Sequence, residues 1–232
     1  MKKNIVLIGG SHGIGLATAR LLAGDYNVIV ASRTSENIKY LDVTYLEFDV
    51  TRDNIKDLDL PETIDGLVYF PGSINLKPFR SLKQPDFQED LELNFLSLVR
   101  VVQDLLPNLK KAEQASLVFF SSVAVKVGMP YHSSVAASKG AIEGFSKALA
   151  AEFSPSIRVN VIAPSLTDTP LAGKLLSTEE KKLKMDSRHP LKRVGTAEDV
   201  ANLVVFLLSE KSSWMTGQIL GMDGGLSTIN LN

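Results

Sequence analysis

The sequence predicts a doubly wound α/β fold, a single domain built on a mostly parallel sheet with helices on both faces. Short apolar runs of strand length recur along the chain, and stretches with helical spacing separate several of them. The runs are continuous rather than alternating, which indicates strands that are covered on both faces. The chain has 232 residues, enough for one sizeable core, and shows no composition shift that would mark a second domain.

The predicted strands cover residues 5–8, 28–31, 45–48, 66–70, 116–120 and 158–163. The predicted helices cover residues 87–106, 136–153 and 197–208, where apolar residues recur every three or four positions. The opening segment MKKNIVLIGG has two lysines followed by a short apolar run, a pattern that could mimic a signal peptide. Its apolar run of about five residues is too short for a signal-peptide core or a membrane span, so we interpret it as a buried first strand.

Composition argues against several classes of partner. The 25 Lys and Arg residues balance 26 Asp and Glu residues, so we expect binding neither to nucleic acid nor to a membrane. The sequence has no cysteine, which removes disulfides, thiolate catalysis and thiolate metal ligands. We expect a cytoplasmic protein with no metal site.

The glycine-rich turn IGGSHGIG follows the first strand directly and leads into the helical segment GLATARLLAG. Gly9, Gly13 and Gly15 would allow a tight turn, a close approach to a pyrophosphate and close helix packing, while the helix N-terminus favours negative charge. This arrangement predicts a Rossmann-like dinucleotide site. The alternative interpretation is a tight turn with a purely structural role.

The end of the second strand, NVIVASR, predicts which dinucleotide is bound. An acidic residue there would accept hydrogen bonds from the ribose of NAD and repel a 2′-phosphate. Ser32 can instead donate a hydrogen bond and Arg33 can pair with a phosphate, so we expect NADP(H) in preference to NAD(H). His12 could add to this pocket or be a solvent-facing loop residue. Asp49 could contact the adenine or cap the following helix, TRDNIKDL.

The charged segment LAGKLLSTEEKKLKMDSRH, residues 171–189, stands between Pro170 and Pro190. It follows a strand on the sheet edge where α/β proteins bind ligands, which predicts a mobile substrate lid at about residues 170–190. A solvated surface helix is the alternative. Leu171, Leu175 and Leu176 indicate a pocket that is not strongly polar.

Over nearly its whole length the sequence resembles the short-chain dehydrogenase/reductase family. The glycine turn is similar to that family's T-G-x-x-x-G-x-G, with Ile8 for the threonine. Gly72 in YFPG occupies the position of the glycine in the family's N-N-A-G. Asn94 in LELNFLS resembles the family's helix asparagine. VFFSSVAVKVG resembles the strand that ends at the active-site serine, here Ser122. The segment IRVNVIAPSLTDTPL is similar to R-V-N-x-I-x-P-G-x-x-x-T, with Ser165 for the glycine.

The resemblance implies a set of roles, and one of them has no matching residue. In the family a tyrosine exchanges a proton with the reacting oxygen, a lysine lowers the tyrosine pKa and binds ribose, a serine holds the oxygen and an asparagine holds a water. Asn94, Ser122 and Lys139 match, but Val135 stands at the tyrosine position. The implied cofactor-binding residues are Gly9, Ser11, His12, Gly13, Ile14, Gly15, Ser32, Arg33, Asp49, Val50, Gly72, Lys139, Pro164 and Thr169.

Two nearby side chains could replace the tyrosine. Tyr131 precedes Lys139 by eight residues, about 12 Å along one helix, so the lysine could not tune it directly. It could still bend into the pocket from a loop, or be only a wall or interface aromatic. His132 has a suitable ordinary pKa of about 6.5, or is an exposed loop residue. Ser122 could also relay a proton through water.

Two functions therefore compete. The first is an NADP(H)-dependent oxidoreductase of a small carbonyl or alcohol substrate with a non-standard proton donor. The second is a catalytically impaired NADP(H)-binding regulator or partner subunit, and elimination or isomerisation on the same scaffold is a third possibility. The family resemblance also implies a homodimer or homotetramer joined through the helices at residues 87–106 and 136–153, whose apolar faces could alternatively serve core packing alone.

Overall fold

The structure, a computed structural model, describes residues 2–230. Its main sheet has seven parallel strands in the order β3-β2-β1-β4-β5-β6-β9. These strands are β1 (Asn4–Ile8), β2 (Asn27–Ser32), β3 (Thr44–Glu47), β4 (Gly66–Tyr69), β5 (Ala115–Phe120), β6 (Ile157–Pro164) and β9 (Ile219–Met222). Two short strands, β7 (Thr167–Asp168) and β8 (Gly195–Thr196), pair with each other. The predicted single-domain doubly wound fold is confirmed.

Helices cover both faces of this sheet. They are α1 (Gly13–Leu22), α2 (Gln84–Leu91), α3 (Ser97–Leu109), α4 (Val123–Lys126), α5 (Ser133–Phe153), α6 (Glu179–Arg188) and α7 (Ala197–Leu208). Side chains alternate along a strand, so Val6 and Ile8 pack on the α3 and α5 side, whereas Ile5 and Leu7 pack on the α1 and α7 side. Both faces of β1 are thus apolar, as the continuous run predicted. Within residues 2–230, no helix is long and apolar enough to cross a membrane.

The order of the strands positions the site. β1 pairs with β2 on one side and with β4 on the other, so the connections that leave the carboxyl end of β1 and of β4 run in opposite directions along the sheet. In open α/β sheets a crevice forms at such a reversal, and ligands bind there.

The single helix predicted at residues 87–106 is wrong in one respect. The chain forms α2, then a π-helical turn at Glu92–Leu96, and only then α3. A π-helical turn is wider than an α-helical turn and closes with an i→i+5 bond. The apolar spacing of the sequence continues across it, so that spacing did not indicate the interruption between α2 and α3. The buried Tyr69 hydroxyl donates a hydrogen bond to the carbonyl of Leu93 at 2.8 Å, which helps to stabilise the turn. Strand β9 was not predicted, because its residues are only partly buried and include Gly221.

Candidate active site

A cavity of about 1620 Å³ opens at the carboxyl edge of the sheet. All fourteen residues expected to bind cofactor line this cavity, and so do Ser122, Tyr131, His132 and Val135. Asn94 is fully buried and lies outside the cavity wall. The residues singled out from the sequence therefore lie around one cavity, and Asn94 is buried outside its wall.

The glycine turn has the geometry that an anion site needs. Gly9 and Gly13 have φ angles of 80° and 51°, in the region that favours glycine. A Cβ at Gly15 would lie 2.7 Å from the carbonyl oxygen of Gly9, so the third glycine lets α1 approach the strand. The His12 ring bonds the Ser11 hydroxyl at 3.0 Å instead of capping α1. The first amides of α1 are thus available to a phosphate, and the turn fits a dinucleotide.

The end of β2 differs in detail from the expectation. Ser32 is buried and its hydroxyl donates to the carbonyl of Thr34 at 2.9 Å, so this donor is already used within the chain. Arg33 is exposed in the cavity wall and remains available to a phosphate. Thr34, which the sequence did not identify, also lines the cavity.

Asp49 behaves as a turn cap. Its carboxylate accepts hydrogen bonds from the amide and the hydroxyl of Thr51, at 3.0 and 2.7 Å, and these bonds lower the pKa of Asp49. The segment that follows forms turns and a short 3-10 helix at Ile55–Asp57 rather than the α-helix that a cap implied. Asp49 also lines the cavity, so an adenine contact is compatible with this geometry.

Helix α5 carries both the lysine and the valine. Val135 is only 6% exposed and lines the cavity one helical turn before Lys139. The Lys139 amine donates a hydrogen bond to the carbonyl of Phe120, the last residue of β5, at 3.0 Å. Burial lowers the pKa of Lys139 to about 8, and the charge of Asp90 opposes that shift. A tunable cation therefore faces the cavity beside an inert isopropyl group.

Asn94 lies in the π-helical turn, and its side-chain oxygen borders Gly72, as the Lys139 amine does. Its side-chain oxygen accepts a hydrogen bond from the amide of Ser73 at 3.2 Å. A Cβ added at Gly72 would lie 3.1 Å from that oxygen and 3.1 Å from the Lys139 amine. The absence of a side chain at Gly72 therefore leaves space for both polar groups.

The candidate proton donors lie at the open side of the cavity. The Ser122 oxygen accepts from the amide of Ala124 at 3.2 Å, which leaves its own proton free to donate. Tyr131 has a φ of 71° and is 58% exposed, and its carbonyl accepts from the amide of Lys77. The Nδ1 atom of His132 donates to the carbonyl of Pro130 at 2.7 Å, so Nε2 is the free ring nitrogen when the ring is neutral.

The segment at residues 171–189 combines features of both interpretations. Helix α6 has no buried residue and lies on the surface. Leu171, Leu175, Met185 and His189 from this segment nevertheless line the cavity. No spacing signal in the sequence had identified His189, which is only 3% exposed and bonds the Ser165 hydroxyl at 2.8 Å.

Comparisons with known proteins agree with this geometry. A family profile described as enoyl-(acyl carrier protein) reductase matches residues 9–227. The 3-oxoacyl-(acyl-carrier-protein) reductase FabG of Thermotoga maritima is 34% identical over 241 residues, covering 97% of each chain. Among solved structures, ElxO with NADP bound is 28% identical with a TM-score of 0.88, covering 99% of this chain and 100% of that one. A single-residue variant of the actinorhodin polyketide ketoreductase with NADPH is 25% identical with a TM-score of 0.91, covering 98% of each chain.

Proposed function

The chain belongs to the short-chain dehydrogenase/reductase family, and from that premise we propose that it is an NADP(H)-dependent oxidoreductase of a carbonyl or alcohol substrate, with a non-standard proton donor. The observation that carries the proposal is the convergence of Lys139 and Ser122 on one cavity, with Asn94 behind the lysine. A binding module would need the glycine turn and the ribose-binding lysine, but not Ser122. The serine and the lysine–asparagine pair are the groups that position and polarise a reacting oxygen.

NADP(H) would supply the hydride when it is bound. Gly9, Gly13 and Gly15 with the first amides of α1 would hold the pyrophosphate, and Arg33 would pair with the 2′-phosphate. Lys139 would bind the nicotinamide ribose. The preference for NADP(H) is supported by the bound cofactors named for ElxO and for the polyketide ketoreductase and by the lack of an acidic side chain at the end of β2.

The substrate oxygen needs a hydrogen-bond donor and a proton source. The free proton of Ser122 would donate to that oxygen, since the Ser122 oxygen already accepts from the chain. Val135 has no proton to give, so the source would be Tyr131, His132 or a water held in the cavity. Loss of a general acid typically reduces a rate by about 10²- to 10⁴-fold while leaving the positioning of hydride intact. Slow but measurable turnover is therefore expected.

Val135 also favours a second candidate function, an NADP(H)-binding regulator or partner subunit without chemistry. The valine side chain is well packed and fills the position from which a tyrosine would reach the substrate. A protein that only responds to the cofactor would keep the glycine turn and Lys139 and lose the acid. This alternative predicts saturable NADPH binding without turnover.

The deciding experiment follows NADPH consumption against a panel of ketones, aldehydes and quinones for the natural protein and for Val135→Tyr. Turnover by the natural protein supports the oxidoreductase, and Tyr131→Phe and His132→Ala then identify the donor. Activity in Val135→Tyr alone supports the binding protein, because the substituted chain proves the panel and the scaffold adequate. Failure of the natural protein to bind NADPH contradicts both functions.

Two further properties remain proposals. We propose that residues 170–190 close over the substrate, since they supply apolar side chains to the cavity from a surface helix. We also propose a cytoplasmic homodimer or homotetramer. The solvent-facing side of α5 carries the small residues Ala137, Ala141, Gly144 and Ala148, which would permit close helix packing. Light scattering coupled to size-exclusion chromatography would test the assembly.

A further inference from the structure

Asp90, in the last turn of α2, is a buried carboxylate with no assigned role. It is 3% exposed, and its Oδ1 atom accepts a hydrogen bond from the Ser73 hydroxyl at 2.5 Å. Within residues 2–230, its Oδ2 atom is the one buried side-chain polar atom that has no hydrogen-bond partner. Burying a carboxylate oxygen without a partner is unfavourable, so a compensating interaction is expected nearby.

A directed set of hydrogen bonds connects Asp90 to Asn94. The Asn94 amide nitrogen donates to the Asp90 carbonyl at 2.8 Å and to the Ser73 hydroxyl oxygen at 2.9 Å. The Asn94 oxygen accepts from the backbone amide of Ser73. A carbonyl can only accept and an amide can only donate, so the orientation of the Asn94 side chain is fixed. Asn94 donates to the Ser73 hydroxyl, and Ser73 in turn donates to the Asp90 carboxylate. An ionised carboxylate can only accept, so these directions suit it.

The opposite end of this cluster faces Lys139. The Asn94 oxygen and the Lys139 amine both flank Gly72, which is the neighbour of Ser73 in the chain. Among the described residues, Lys139 forms no ion pair and donates to a neutral carbonyl. The amine is buried and needs an opposite charge to remain protonated.

The other charged groups around Asp90 leave Lys139 as its cation. The titratable side chains on the surrounding elements are Asp86 and Glu89 on α2, Glu92 in the π-helical turn, Lys77 in the loop after β4, and His132, Lys139, Glu143, Lys147 and Glu152 at or on α5. Glu143 accepts a hydrogen bond from the Ser121 hydroxyl at 2.6 Å, and Lys147 and Glu152 are exposed on α5. Lys77 is already paired with Asp86, at 2.6 Å, and that hydrogen bond raises the pKa of Lys77 more than the charge of Asp90 does. The charge of Asp90 raises the pKa of Lys139 against the larger effect of burial.

We propose that Asp90 is a positioning residue that supplies the buried counter-charge of Lys139 and that Ser73 holds its carboxylate in place. The purpose of the counter-charge rests on the proposed function, because it would keep a cation beside the cofactor ribose and the reacting oxygen. The interaction between Asp90 and Lys139 does not depend on that function. Because Val135 leaves no phenol for Lys139 to tune, the charge of the lysine itself is what the site retains. Asp90 protects that charge at neutral pH.

The test measures the pKa of Lys139 directly, in the protein without cofactor. Lysine labelled with ¹³C at Cε is followed by NMR from pH 6 to 11, and the Lys139 signal is identified by its loss in Lys139→Met. In Asp90→Asn we expect the Lys139 pKa to fall by about one unit, the lower end of the effect of a nearby opposite charge. The matched control is Glu62→Gln, which removes an exposed carboxylate paired with Lys111 and should leave the Lys139 pKa unchanged.

A second variant guards against misfolding. Asp90→Leu combined with Ser73→Ala replaces both partners by apolar groups, a change that can be nearly neutral for stability, and the Asn94 amide keeps its bond to the backbone carbonyl of residue 90. This variant should produce the same fall in the Lys139 pKa. An unchanged Lys139 pKa in either folded variant overturns the counter-charge.

Parallel NADPH titrations separate this inference from the proposed function. A lower Lys139 pKa in a chain that does not bind NADPH supports the counter-charge and contradicts the proposed function. NADPH binding with an unchanged Lys139 pKa contradicts the counter-charge alone. If both hold, the pH at which NADPH affinity declines should also move down by about one unit in Asp90→Asn.

Discussion

Val135 and Lys139 lie one helical turn apart on the same face of α5, and both line the main cavity. The helix thus places a hydrocarbon side chain, which has no proton to exchange, one turn before the lysine. Lys139 retains two capacities that need no phenol, a positive charge and hydrogen bonding. Its burial makes the first of these dependent on pH in the neutral to alkaline range.

We expect Lys139→Met to stabilise the cofactor-free protein. Burial lowers the folded-state pKa to about 8 from 10.5, so below pH 8 the folded chain holds a poorly solvated charge. At pH 7 the gain in the free energy of unfolding should reach at most about 3 kcal/mol. Between pH 8 and 10.5 the unfolded state binds the proton and the folded state does not, so this lysine makes stability rise with pH there.

Urea unfolding of both proteins at pH 7, 8.5 and 10 measures this difference. The advantage of Lys139→Met should shrink as the pH rises, and NADPH binding should be lost at every pH. Lys147→Met, an exposed position on the same helix, is the control and should show neither effect. A stability difference that does not vary with pH would contradict a depressed pKa.

Gly72→Ala should weaken NADPH binding about tenfold. The added Cβ would lie 3.1 Å from both the Lys139 amine and the Asn94 oxygen, so one of these groups must move, and overpacking of this kind typically costs about 1–3 kcal/mol. Fluorescence titration measures the affinity. Gly140→Ala is the control, because its Cβ would meet only Val125 at 3.7 Å. Equal affinities for the two variants would show that the space at Gly72 is not needed.

Much of this arrangement was predictable from the sequence, because it depends on local patterns. The continuous apolar runs indicated buried parallel strands, and the glycines at positions 9, 13 and 15 indicated a tight turn that leads into a helix. Helix α7 has the predicted bounds. Its start is fixed by a capping box, in which Thr196 is the N-cap residue and Asp199 lies in the first turn.

Contacts between distant segments could not be predicted in this way. Ser73 and Asp90 are 17 residues apart, and Ser165 and His189 are 24 residues apart, so no short-range spacing relates them. Asp90 precedes Asn94 by about one helical turn. If the interruption at Glu92–Leu96 had been recognised, that spacing could have identified Asp90. Within that interruption the Leu93 carbonyl accepts a hydrogen bond from the Tyr69 hydroxyl, a contact that periodicity does not encode.

Arg33→Ala should reduce the affinity for NADPH about ten- to a hundredfold and leave the affinity for NADH unchanged. A charge-assisted bond to a 2′-phosphate contributes about 1.5–3 kcal/mol, and NADH has no such phosphate. Titrating both cofactors measures the selectivity. Lys39→Ala removes an exposed charge of the same sign that does not line the cavity, so it should change neither affinity. An equal loss of both cofactors in Arg33→Ala would indicate damage to the fold, not a lost phosphate contact.

Ser165→Ala should loosen the segment at residues 170–190. The His189 Nδ1 atom lies 2.9 Å from the carbonyl of Met185, which can only accept, so Nδ1 carries the proton of the neutral ring and Nε2 accepts from the Ser165 hydroxyl. That bond joins the residue just after β6 to the residue just after α6. Its loss should cost about 1 kcal/mol, which corresponds to about a fivefold larger population of the open segment.

Limited trypsin digestion measures this opening, because α6 carries the exposed sites Lys181 and Lys184 and the partly exposed site Lys182. Cleavage within α6 should be about fivefold faster in Ser165→Ala, as the open population determines the rate when reclosing is fast. The control is Ser177→Ala, which removes an exposed bond to Lys181 in the same segment and should not change the rate. If NADPH protects the natural protein more than Ser165→Ala, the Ser165–His189 bond couples the segment to the cofactor site. Equal digestion of all three proteins would mean that this bond does not hold the segment.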